Sequence, residues 1–109
     1  MRVLLDECID EGMRHYFIGH DCQTCRYAKL RELTNGRLLA AAESAGFEVL
    51  VTVDKNLSFQ QNMQNRKIAV ITLDARTTNL DDLVSLMPAV LRTLESLAPG
   101  AVIRIAAGR

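Results

Sequence analysis

No stretch of this chain stays apolar for more than a few residues, so none is long enough to cross a membrane as a helix. The start, Met1-Arg2-Val3-Leu4-Leu5-Asp6-Glu7, sets carboxylates where a secretory leader keeps its apolar stretch going, and a cytoplasmic protein is expected. Net charge is missing too: thirteen basic side chains cancel thirteen acidic ones. That disfavours binding to a polyanion by bulk charge and leaves the task to local basic patches. The six glycines are scattered rather than gathered into a phosphate-cradling loop, which argues against a nucleotide-binding enzyme. No Ser-His-Asp arrangement stands out, and neither His15 nor His20 has an evident catalytic partner in the sequence. Repeats, linkers and low-complexity segments are absent.

Cysteine is scarce and odd in number. Cys8, Cys22 and Cys25 suit reduced thiols better than a secreted disulfide framework. Cys22-Gln23-Thr24-Cys25, with His20 just ahead, has the spacing of half a zinc or redox site. A structural zinc needs a second Cys or His pair, and none follows. The segment also reads as a short strand, in which positions 22 and 25 point to opposite faces. Ordinary semi-buried thiols are the expectation.

What is present describes one domain over residues 1–109. Apolar residues make up 49% and charged residues 24%, enough core to fold without a metal or disulfide staple. The unbroken run Val3-Leu4-Leu5 is what a strand covered on both faces requires. Residues 9–17 read as a short helix with Ile9, Met13 and Phe17 on one face. A weaker strand at 20–25 follows, then a polar, arginine-bearing connection over 26–34. Asn35 is placed to cap a helix carrying Leu38, Leu39 and Ala42, which Gly46 ends.

Residues 48–53 and 68–73 are strong strands, and the amide-rich stretch 60–65 between them reads as a short helix with its exit turn. Asn79 caps a last helical region, with Leu80, Leu83, Met87, Val90, Leu91 and Leu94 at helical spacing. Pro88 inside it predicts a kink, or a break with a new helix starting there. Pro99-Gly100 turns the chain into a final strand over 101–105. Strands alternating with helices define an α/β class: a three-layer α/β/α sandwich around a central, mostly parallel five-stranded sheet. In such sheets the site lies beyond the carboxyl ends of the strands, where the strand order switches.

Both of the strongest strands end in acid, Leu4-Leu5-Asp6-Glu7 and Val51-Thr52-Val53-Asp54. On neighbouring strands flanking the switch, Asp6 and Asp54 would converge on one crevice. Packed carboxylates repel and are costly to desolvate unless they share a cation or a proton. A hard divalent ion, Mg²⁺ or Mn²⁺, is the natural partner for such oxygens. The plainer reading is acids that solvate strand ends or cap the next helix.

Lys55 is placed to meet a phosphate, and Asn56 to hold a metal-bound water or orient Asp54; a solvated lysine and a turn asparagine would look the same. Arg26, Lys29, Arg31 and Arg37 stand against only Glu32, with Tyr27 among them, and Lys55, Arg66 and Lys67 form a second basic stretch. Both suit an RNA backbone beside the acids, although surface charge alone also produces such patches.

Taken in order, Val3-Leu4-Leu5-Asp6-Glu7, Gly19-His20-Asp21, Asn35-Gly36-Arg37-Leu38-Leu39, Val51-Thr52-Val53-Asp54-Lys55-Asn56-Leu57 and Gln60-Gln61-Asn62 resemble the short PIN-like proteins. These belong with the VapC-type toxins of bacterial toxin–antitoxin systems. The likeness is good over residues 1–73 and loose beyond. It implies a sheet-end acidic cluster that binds Mg²⁺ or Mn²⁺ and hydrolyses RNA phosphodiesters. Asp6 would be the first-strand catalytic and metal carboxylate, Asp54 the later one, and Glu7 an adjoining metal helper. Asn56 takes a place that is often acidic. The likeness also implies a cognate antitoxin covering the crevice, a basic side chain standing in for the metal. A homodimer is implied too, for which the last helical region offers apolar surface.

One segment departs from the resemblance. Relatives carry an acid where this chain reads Asn35-Gly36-Arg37, and Glu43 lies two turns farther on. Losing that carboxylate weakens a second metal position, while Arg37 is placed to hold a phosphate instead. A catalytically degenerate binding module is therefore the second expectation. The third is a receiver-like phosphoacceptor domain, which also joins an acidic pair after the first strand to an Asp after a later one, and for which Thr72 matches the switch hydroxyl. That site needs a lysine ending the last strand, where this chain has Arg104, and no lysine follows Lys67.

Overall fold

The computed structural model describes residues 1–33, 35–55, 63 and 65–107. Five strands form its core: β1 (Arg2–Leu5), β2 (Asp21–Thr24), β3 (Val49–Thr52), β4 (Ala69–Asp74) and β5 (Val102–Ala106). They pair in the order β2-β1-β3-β4-β5, and every pairing is parallel. A 3-10 helix (Glu11–Tyr16) follows β1, and α1 (Asn35–Ser44) lies between β2 and β3. Two helices, α2 (Leu80–Val84) and α3 (Met87–Glu95), lead from β4 to β5. The amide-rich stretch over 60–65, read from the sequence as a helix, lies largely outside the described residues.

Alternation along each strand sorts the core into two layers, because successive side chains leave opposite faces of a sheet. Val3, Leu5, Val49, Val51, Ile71 and Leu73 pack on one face against Met13, Phe17, Leu83 and Val90. Leu4, Leu50 and Val70 pack on the other against Leu38, Leu39 and Ala42 of α1. Cys22 joins the first layer and Cys25 the second, as the strand reading of 22–25 requires. Burial pushes both thiols up to about 12, which favours their protonated form.

Local rules explain where the elements stop. Gly46 (φ 88°) ends α1: its N–H donates to the Glu43 carbonyl at 3.0 Å, and the Phe47 N–H to the Ala42 carbonyl at 3.0 Å. That paired closure needs a left-handed residue, which glycine adopts without strain. Pro88 resolves as a break: it sits in the first turn of α3, where its missing N–H costs nothing. The helix expected at 9–17 is shorter and tighter. With Gly12, His15 and Tyr16 in only six residues, it winds as 3-10 rather than α.

Two features separate the fold from expectation. Helix α1 begins at Asn35 itself instead of being capped by it. Of the apolar residues expected to offer surface in the last helices, Leu83, Met87, Val90 and Leu94 are buried in the chain's own core, and Leu80 and Leu91 are partly buried against it. Among the described residues no helix is long and apolar enough to cross a membrane.

Glu43 has a structural role far from the strand-end acids. Its Oε2 accepts the Lys67 and Ile68 N–H groups at 2.6 and 3.0 Å, fixing the approach to β4. Those N–H bonds hold its carboxyl below the usual carboxylate range.

Candidate active site at the strand switch

The chain moves from β1 out to β2, then crosses back over β1 to β3, so the strand order reverses between β1 and β3. Asp6 follows β1 directly, and Asp54 lies two residues past β3. The Asp6 N–H still donates to the Val51 carbonyl at 2.9 Å, which continues the ladder and fixes where the carboxylate starts. Asp6 Oδ2 accepts the Thr52 hydroxyl at 2.7 Å and the Cys8 thiol at 3.5 Å, and Oδ1 accepts the Glu7 N–H at 2.9 Å.

Thr52 joins the two strand ends. Its hydroxyl donates to Asp6 and accepts the Asp54 N–H at 3.0 Å, and the residue is fully buried. Nothing in the sequence pattern assigns it a role, although a lone hydroxyl in an apolar strand, two residues before an aspartate, is a signal. Thr52→Val keeps the shape and removes the hydroxyl, and with it the bonds to the Asp6 carboxylate and the Asp54 N–H. Unfolding free energy is expected to drop by about 1–3 kcal/mol in urea titration, with Thr52→Ser recovering most of it. An undiminished valine variant would mean that the hydroxyl does not couple the strands.

Of the other predicted site residues, Glu7 lines the cleft with Asp6 and the rest are dispersed. Glu7 turns its Oε1 to the Glu32 N–H at 2.8 Å. Arg37 is exposed on the first turn of α1 and does not line the cleft at Asp6. Asn56 lies outside the described residues. Lys55 reaches Asp74 Oδ1 at 2.6 Å, and Arg104 pairs with the other oxygen of the same carboxylate. Asp74, the last residue of β4, is therefore a third strand-end acid that sequence reasoning passed over, and it is neutralised by two cations. Cys8 sits beside Asp6, and burial pushes its thiol up, so it acts as a donor to the carboxylate.

Lys55 first and Arg104 second hold the Asp74 carboxyl below the usual range. Glu43 is shifted the same way. A carboxyl with a lowered folded-state pKa binds its proton more readily when unfolded. Its stabilising share is complete above the unfolded value and is lost as pH falls through about 4 and below. The melting temperature is expected to fall less steeply from pH 5 to pH 3 in a Glu43→Gln/Asp74→Asn double variant than in the wild type. Thermal melts across that range check it, and parallel slopes would reject it.

Among the described residues, no group of three His, Cys, Asp or Glu side chains is placed to hold a metal ion. Mg²⁺ needs less: it keeps several waters and is bound through one or two carboxylates together with substrate phosphates. Asp6 and Asp54 leave neighbouring strands at the switch; Asp54 is tied to Thr52 through its backbone N–H and does not line the cleft at Asp6.

Fold and site together define an open, wholly parallel α/β domain with carboxylates at its strand switch. Compared with family models, curated proteins and solved structures, the chain finds no match.

Proposed function

We propose that this chain is a PIN-like, Mg²⁺- or Mn²⁺-dependent endoribonuclease that acts as the toxin of a toxin–antitoxin pair in the cytoplasm. The observation that supports it best is the Thr52 hydroxyl, which ties the Asp6 carboxylate to the Asp54 backbone N–H where the strand order of the sheet reverses. Asp6 and Asp54 would hold the Mg²⁺ or Mn²⁺, which would supply Lewis acidity and a bound water of lowered pKa. The chain's own part is positional. Thr52 and the Glu7 N–H fix the Asp6 carboxylate from two sides, so its orientation is set before substrate arrives. A cognate antitoxin would cover the crevice, a basic side chain taking the metal's place.

Incubating the protein with mixed single-stranded RNA tests this reading. Shortening of the RNA with Mg²⁺ or Mn²⁺, and none with EDTA, is the expected result. Intact RNA under every metal condition would sink it.

A specific observation favours a second reading, the degenerate binding module. The described residues lack a third ligand, and Asn35-Gly36-Arg37 stands where the resemblance expects an acid. Intact RNA together with retained, metal-independent RNA binding would select it. The receiver-like alternative shares the strand order β2-β1-β3-β4-β5. The cation it needs on the last strand is Arg104, and that guanidinium is taken by Asp74.

A further inference from the structure

We propose that Glu7 is a positioning residue whose carboxylate clamps the loop over 25–33, setting Arg26 and Arg31 at the cleft beside Asp6 to grip phosphates of a single-stranded RNA. The substrate in this inference rests on the ribonuclease reading.

The loop is ordered by its own bonds. The Ala28 N–H donates to the Thr24 carbonyl at 3.0 Å, the Leu30 N–H to the Cys25 carbonyl at 2.8 Å, and the Tyr27 N–H to the Thr24 hydroxyl at 3.1 Å. Ala28, Leu30 and Leu33 pack against the α1 side of the core. Arg26, Lys29 and Arg31 are exposed, so burial of the apolar residues leaves the cations to solvent.

Two non-glycine residues of this loop, Lys29 (φ 62°) and Glu32 (φ 68°), are left-handed. Such residues persist where the surroundings hold them, and they collect at functional sites. Glu7 supplies the hold at the far end: its Oε1 accepts the Glu32 N–H across 25 positions of sequence. A carboxylate accepting a backbone N–H makes a strong, charge-assisted bond.

Glu7 also lines a cleft of about 190 Å³ with Asp6, Glu11, Thr24, Arg26 and Arg31, so the two guanidiniums face three carboxylates there. That volume is below the roughly 300–1,000 Å³ of a drug-sized site and suits a single phosphate group. Arg26 pairs with Glu11 at 3.6 Å, and both side chains are more than half exposed. Such an exposed pair is weak, which leaves the Arg26 guanidinium available to a phosphate, whose geometry its fork also matches.

Glu7→Ala, Glu7→Gln and Arg26→Gln/Arg31→Gln separate the clamp from a metal-ligand role. Amide exchange at Glu32 and binding of a fluorescent single-stranded RNA, both in EDTA, are measured across a salt series. Glu7→Ala is expected to speed Glu32 exchange by about tenfold or more and to weaken RNA binding. Glu7→Gln keeps an oxygen for the Glu32 N–H without the charge that strengthens the bond, and should retain more of both properties than Glu7→Ala. The double arginine variant should lower the salt slope by about 1.4, at about 0.7 for each single-strand phosphate that is no longer neutralised. Equal loss of RNA binding in Glu7→Gln and Glu7→Ala would overturn the clamp, since charge and not the bond would then matter. An unchanged slope in the arginine variant, with wild type binding RNA, would overturn this inference alone. A wild type that binds no RNA in EDTA would overturn this inference alone if it still cleaves RNA with Mg²⁺ or Mn²⁺, and the ribonuclease reading as well if it does not.

Discussion

Asp6→Asn is expected to reduce metal-dependent RNA cleavage by more than the roughly 10–100-fold typical of losing a partner behind a metal ligand. The substitution keeps the size of the side chain and removes the charge that a divalent ion requires. It also puts an amide NH₂ where one carboxylate oxygen now accepts a hydrogen bond, from either the Thr52 hydroxyl or the Glu7 N–H. Asp54→Asn removes the second carboxylate while leaving its own N–H free to keep its bond to Thr52. Cleavage rates with Mg²⁺ and with Mn²⁺, on variants whose circular dichroism and melting match wild type, provide the check. A full rate in either variant would take that aspartate out of the chemistry.

Leu50→Ala carries the largest expected cost in stability, about 2–5 kcal/mol. Leu50 is fully buried in β3, the middle strand of the five, and packs in the layer with Leu4, Leu38, Leu39 and Val70. A sheet covered on both faces cannot collapse easily into the space left by an isobutyl group, so both the lost transfer energy and the cavity count. Set against a typical total of about 5–15 kcal/mol for a domain, the variant keeps little margin. Urea unfolding followed by circular dichroism reads the change directly. A loss comparable to that of an exposed substitution, within about 0.5 kcal/mol, would contradict this packing.

The two predictions bear on each other, since Leu50 and Thr52 leave the same face of β3. The residue that anchors the middle strand to α1 lies one alternation below the hydroxyl that joins the acids. Site geometry and core packing are therefore set by one register, Leu4 beside Leu50 and Leu5 beside Val51. A one-residue slip would turn Thr52 to the other face and away from Asp6.

Much of this is legible in the chain itself. Apolar runs at Val3-Leu4-Leu5 and Val49-Leu50-Val51 are those expected of strands covered on both sides, and β-α alternation makes such strands parallel. Cys22 and Cys25 fall on opposite faces because a strand alternates, and Pro88 breaks its helix because it lacks an N–H. These are short-range rules, decided by neighbours within a few positions. The strand order, the Thr52 bridge between residues 6 and 54, the capture of Lys55 by Asp74, and the bond from Glu7 to the Glu32 amide were decided only by the tertiary structure. Each joins groups 19 to 48 positions apart, or strands distant in the chain, and depends on register and on which way a loop folds. Local propensity therefore reaches as far as the strand ends where the acids stand, and packing determines what each acid is bonded to.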